Sequence, residues 1–120
     1  MTSRDIRVDE PEGAGVVALI GEHDAFGADG LRRELERLLA NGKPVVVDLT
    51  EATFIDSSTV GVLLTAFRDG AQAGLSLGLV LPSATTGPHV RRLIETTQLD
   101  EVFPIHESLA AALEAAQHPH

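Results

Sequence analysis

The sequence predicts an α/β fold, with an N-terminal β-hairpin followed by alternating βα units on a mixed, mostly parallel sheet carrying about four helices. Three observations carry this expectation. Two strand-like segments open the chain around a turn at Glu10-Pro11-Glu12-Gly13. Val45-Val46-Val47-Asp48-Leu49 is β-branched and almost wholly apolar, as suits a central strand in a parallel pair. Each strand-like run after the hairpin is followed by apolar residues at helical spacing, so right-handed crossovers onto one sheet are expected.

Taken in order, Ile6 and Val8 alternate with charged residues, as in an edge strand with one wet face. Val16 to Ile20 is the second strand, and Gly21-Glu22-His23-Asp24 leaves it. The first helix is expected over Ala28 to Ala40, because Leu31, Leu35, Leu38 and Leu39 fall on one stripe. Asn41-Gly42 ends it, and Pro44 prevents its continuation. After Val45 to Leu49, residues Thr50 to Asp56 read as a connection. A second helix over Ser57 to Ala73 sets Val60, Leu63, Leu64 and Phe67 on one face. Leu75 to Leu81 is a strand closed by Pro82, and Val90, Leu93, Ile94 and Thr97 make a third helical stripe. Val102 to Ile105 reads as a short last strand, before a closing helix with Leu109, Ala112, Leu113 and Ala116 inward.

A chain of 120 residues holds one core and not two. A single domain over 1–117 is expected, with 118–120 as a frayed tail. No apolar run approaches the roughly 20 residues that span a bilayer. The opening Met1-Thr2-Ser3-Arg4-Asp5 has no signal-peptide core. The chain has no cysteine, which excludes disulfides, thiolate metal sites and cysteine nucleophiles. These features suit the cytoplasm.

Nine basic against 18 acidic residues give a net charge of −9. Such a surface repels nucleic acid and anionic lipid, so neither a nucleic acid partner nor direct membrane contact is expected. The only aromatics are four Phe, which weakens any reading based on stacking bases or sugars. A protein partner fits better.

The most informative segment is Phe54-Ile55-Asp56-Ser57-Ser58, between a buried strand and an apolar helix. Ligands of open α/β sheets sit at the carboxyl ends of strands. The first N–H groups of a helix lack internal partners and favour negative charge. On local residues alone, Asp56 or Ser57 is a helix cap contributing about 1 kcal/mol. Capping and modification are compatible, since one residue can cap while its neighbour stays exposed.

Val45-Val46-Val47-Asp48-Leu49-Thr50, then Phe54-Ile55-Asp56-Ser57-Ser58, then Gly61-Val62-Leu63-Leu64, together with Gly21-Glu22-His23-Asp24, resemble the STAS domains of anti-sigma factor antagonists. The resemblance covers nearly the full chain. It implies a partner-switching role without enzymatic activity. The unphosphorylated protein binds an anti-sigma factor that is also a serine protein kinase, and so releases a sigma factor. Phosphorylation breaks that complex and a serine phosphatase restores it. Carried onto this chain, the resemblance implies Ser57 as phosphoacceptor, with Ser58 as second choice. It also implies Asp56, Asp24, Ser58 and Thr59 at the partner-binding surface. Many members have Gly where this chain has Thr59, which adds a β-branched side chain close to the expected kinase contact. Two further readings stand beside this one. One is a non-switching STAS subunit of a signalling assembly or lipid transporter, with Ser57 only a cap. The other is an enzyme using Ser57 or Ser58.

No cofactor and no metal is expected. His23, His89 and His106 fall near different element ends, without His-Glu-x-x-His spacing. Neither serine lies in a Gly-x-Ser-x-Gly elbow, and no phosphate loop or dinucleotide fingerprint occurs.

Overall fold

A computed structural model describes residues 4–11 and 13–117. The expected tail at 118–120 and Glu12 of the first turn lie outside the described residues.

Strand β1 (Arg4–Asp9) pairs antiparallel with β2 (Gly15–His23), from Arg4↔Gly21 to Asp9↔Val16. Ile6 and Val8 pack against the core while their neighbours face water, as the alternation predicts. The turn between the strands is closed by Ala14 N–H donating to Pro11 O at 3.0 Å.

The other edge of β2 is shared by two strands. Its first half pairs in parallel with β3 (Val45–Asp48), from Gly15↔Val45 to Ala18↔Asp48. Its last residues pair with β4 (Ala52–Ile55), where Glu22 faces Phe54 and His23 faces Ile55. The expectation of a plain connection from Thr50 to Asp56 is thereby corrected. The chain leaves the sheet for one turn and rejoins the same neighbour. Asp48 holds that turn, accepting from Thr50 N–H at 2.9 Å and from the Thr50 hydroxyl at 2.7 Å. Beyond β3 lie β5 (Leu77–Val80) and β6 (Ile105–His106), both parallel, giving the order β1-β2-β3-β5-β6 with β4 beside β2.

Residue parity sorts the sheet's two faces. Val17, Leu19, Val45, Val47, Leu77 and Leu79 point to one side, where three helices cover them: α1 (Ala25–Ala40), α2 (Ser57–Gln72) and α3 (Pro88–Thr96). Val16, Val46 and Val80 point to the other, under α4 (Leu109–Gln117) with Ala112 and Ala116. Burial on both faces explains why β3 reads as an unbroken apolar run.

The helices follow the predicted stripes, with two differences. Helix α1 starts at Ala25 rather than Ala28, because Asp24 caps it. The most buried line of α2 is Thr59, Leu63, Ala66 and Gly70, while Val60, Leu64 and Phe67 flank it half-buried. Small residues face inward where helix and neighbours approach closely: a Cβ on Gly70 would stand 3.0 Å from Leu75 O. The last strand does not begin at Val102. A 3-10 turn spans Leu99–Glu101, and only Ile105 and His106 pair with β5. Pro104 has no N–H to give to a ladder, and only its carbonyl joins, accepting from Leu79 N–H at 2.9 Å.

Candidate functional site

Strands β2 and β4 end side by side, His23 opposite Ile55. Each is followed by an aspartate in extended conformation that caps the next helix. The two helix starts therefore share one corner of the sheet's carboxyl edge.

Asp24 caps α1. Its Oδ1 accepts from Phe26 N–H at 3.0 Å and from Arg4 Nη1 at 2.8 Å. Both partners of that ion pair are solvated, with side-chain exposures of 39% for Arg4 and 45% for Asp24.

Asp56 caps α2. Its Oδ1 accepts from Thr59 N–H at 3.0 Å. The Thr59 hydroxyl lies 3.2 Å from the same oxygen and 3.1 Å from His23 O. Asp56 N–H also donates to His23 O, at 3.2 Å. One backbone carbonyl of β2 thus anchors both ends of the turn that carries the serines. Thr59, expected among the partner contacts, is 1% exposed. A β-branched hydroxyl side chain fits the inner face of α2 because two acceptors wait there.

Ser57 is exposed and Ser58 half-buried. Among the described residues neither hydroxyl makes a hydrogen bond. Ser57 opens α2, outside the hydrogen bonds that pin the turn. It is the more exposed of the two serines.

His23 was not among the expected site residues. It is 2% exposed, and its Nε2 lies 3.0 Å from Ile20 O. Burial pushes its pKa below the ordinary value of 6.5, and the nearby Arg4 adds to that, against the raising effect of its backbone hydrogen bonds and of Asp24. The imidazole is therefore neutral near pH 7, with its Nε2–H donating to Ile20 O. A lone histidine in a strand carries no sequence signal for this role. The cap at Asp24 does carry one: Asp directly before a helical stripe.

His89 stacks on Phe54, with centroids 4.9 Å apart, and His106 lies in β6. Among the described residues, no group of three or more His, Cys, Asp or Glu side chains could hold a metal ion. No helix among them is long and apolar enough to cross a membrane.

A mixed, mostly parallel sheet led by a β-hairpin and carrying four helices is STAS-like. The family model described as the STAS domain matches residues 5–112, and the chain belongs to that family. A STAS-domain containing protein of Pseudomonas aeruginosa is 32% identical over 92 residues, covering 74% of this chain and 84% of the relative. An anti-sigma F factor antagonist of Paenibacillus polymyxa is 26% identical over 110 residues, covering 90% of this chain and 91% of the relative. The crystal structure of an anti-sigma factor antagonist from Mycobacterium paratuberculosis superimposes with a TM-score of 0.81 at 29% identity, covering 97% of this chain and 96% of that one.

Proposed function

We propose that this chain is an anti-sigma factor antagonist that works by partner switching in the cytoplasm. The observation that carries the reading is Ser57: an exposed hydroxyl without a hydrogen-bond partner among the described residues, opening a helix whose turn is otherwise pinned. Full-length similarity to anti-sigma factor antagonists supports it. The partner is an anti-sigma factor that is also a serine kinase, with this chain as its substrate, and a serine phosphatase reverses the modification. Phosphate on Ser57 adds about −1.5 to −2 charges beside Asp56. The first N–H groups of α2 can accommodate it, so the fold persists. The added charge and bulk instead oppose the interface, where a loss of about 1.4 kcal/mol lowers affinity tenfold.

Mass spectrometry after incubation with ATP and each anti-sigma kinase of the host tests this. One phosphate on Ser57, absent in Ser57→Ala, is expected, and Ser57→Asp is expected to bind the same kinase at least about tenfold more weakly. Equal binding of Ser57→Asp and Ser57→Ala overturns the switch. Absence of any modification, alongside a stable large complex, points to a structural STAS subunit.

A further inference from the structure

Phe26 is the most exposed large apolar side chain among the described residues, at 90% against 45% for Val102 and 36% for Ile105. The chain has four phenylalanines, and the other three have ring partners. Phe67 and Phe103 meet edge to face at 5.1 Å, and Phe54 stacks on His89. Phe26 sits in the first turn of α1, and nothing in the fold requires its ring.

Its backbone, by contrast, is fixed. The N–H of Phe26 donates to Asp24 Oδ1, and the same oxygen holds Arg4. The Arg4 side chain runs across Gly27, where a Cβ would meet it at 3.2 Å. The ring therefore projects from a braced platform, and little order is lost when a partner covers it. The platform adjoins the Ser57 turn, because His23 O accepts from Asp56 N–H. Arg4, Glu22, Asp24 and Phe26 line a depression of about 390 Å³. Arg4 is engaged by Asp24, so the ring's surroundings are acidic on balance.

We propose that Phe26 is the hydrophobic anchor of the interface that Ser57 controls, and that it enters an apolar pocket rimmed by cationic side chains on the kinase partner. This rests on the partner-switching reading above. Aromatic residues, Phe among them, are enriched at interface cores, where a few anchors that fill pockets carry most of the binding energy. A second copy of this chain fits poorly, since it would bring a further net charge of −9 and the same Glu22 against the first. A phosphate on Ser57 would act at the same corner of the sheet, where β2 and β4 end side by side.

The test uses the full chain and the host anti-sigma kinase that phosphorylates it. Phe26→Ser is expected to keep the wild-type melting temperature and to weaken kinase binding at least about tenfold, mainly through faster dissociation. Phe26→Leu, which keeps an apolar anchor, is expected to recover most of that affinity. Affinity of Phe26→Ser within about twofold of wild type, while Ser57→Asp still fails to bind, overturns the anchor and leaves the switch standing. If no host kinase binds the wild type, both fall. A wild-type dimer in sedimentation velocity that Phe26→Ser abolishes assigns the ring to a second copy and overturns the kinase assignment.

Discussion

Asp24 and Asp56 follow neighbouring parallel strands, and each accepts a backbone N–H from the helix it opens. Their remaining partners differ. Asp24 turns outward, to an arginine in contact with water. Asp56 turns inward, to a threonine that is 1% exposed and itself reaches β2. An exposed ion pair contributes about 0–1 kcal/mol and exchanges readily with solvent. A buried hydrogen bond contributes about 0.5–1.5 kcal/mol, and its loss costs more when a polar group is stranded. The outward cap can trade Arg4 for a partner's cation at little cost. The inward cap is committed to the fold, and it fixes where Ser57 stands. The two strand-end aspartates therefore differ in kind: Asp24 holds a solvated cation, whereas Asp56 fixes the geometry of its turn.

The largest expected effect breaks the comparison directly. Asp56→Ala should cost about 2 kcal/mol, the upper end for a helix cap, because the Thr59 hydroxyl loses an acceptor along with the N–H. Asp24→Ala should cost about 1 kcal/mol, and the share due to Arg4 should vanish in high salt. Urea denaturation of the two variants at low and high salt measures both. Equal costs at low salt would mean that the buried side of the Asp56 cap contributes nothing.

A smaller effect is expected from Thr59→Val, which keeps shape and branching but removes the hydroxyl. His23 O keeps Asp56 N–H as a donor, so no buried carbonyl is stranded and the cost should stay near 1 kcal/mol. The amide of Ser58 or Thr59 should exchange hydrogen faster in this variant, because the first turn of α2 loses a tie to β2. Unchanged stability together with unchanged exchange would show that the hydroxyl merely occupies space.

The parts of this corner that sequence reasoning reached were those set by local pattern. The β3 run, the leucine stripe of α1 and the serines before an apolar helix all follow from periodicity and cap chemistry. Strand β4 did not. Thr53, Phe54 and Ile55 favour strands, but a run of four residues is too short to stand out by periodicity, and the segment joins the sheet because β2 still offers an open edge past Ala18. The burial of Thr59 was hidden for a related reason. A polar side chain points inward only when acceptors from distant chain wait for it, here the carbonyl of His23. Phe26 was invisible in the opposite sense. Its apolar character suggests core, and only the start of α1 at Ala25 turns it outward.

The smallest expected effect is a slope rather than a step, and it belongs to the residue between the two caps. His23 is held neutral by burial, with Arg4 adding to the effect, while the hydrogen bond to Ile20 O, the Asp5 backbone and Asp24 oppose it. Its folded pKa thus lies below 6.5, the value it regains on unfolding. Above that value both states carry a neutral imidazole and the group makes no pH-dependent contribution. As pH falls through it, the unfolded chain takes up a proton that the folded chain refuses, so stability declines until the folded pKa is reached. His23→Gln can still donate to Ile20 O but cannot titrate. Between about pH 7.5 and about pH 5.5, wild type should lose more stability than His23→Gln, and the two curves should run parallel at higher pH. If instead the curves stay parallel throughout that window, the imidazole exchanges protons freely in the folded state. The carbonyl that ties both ends of the Ser57 turn would then sit on a residue far less enclosed than its 2% exposure implies.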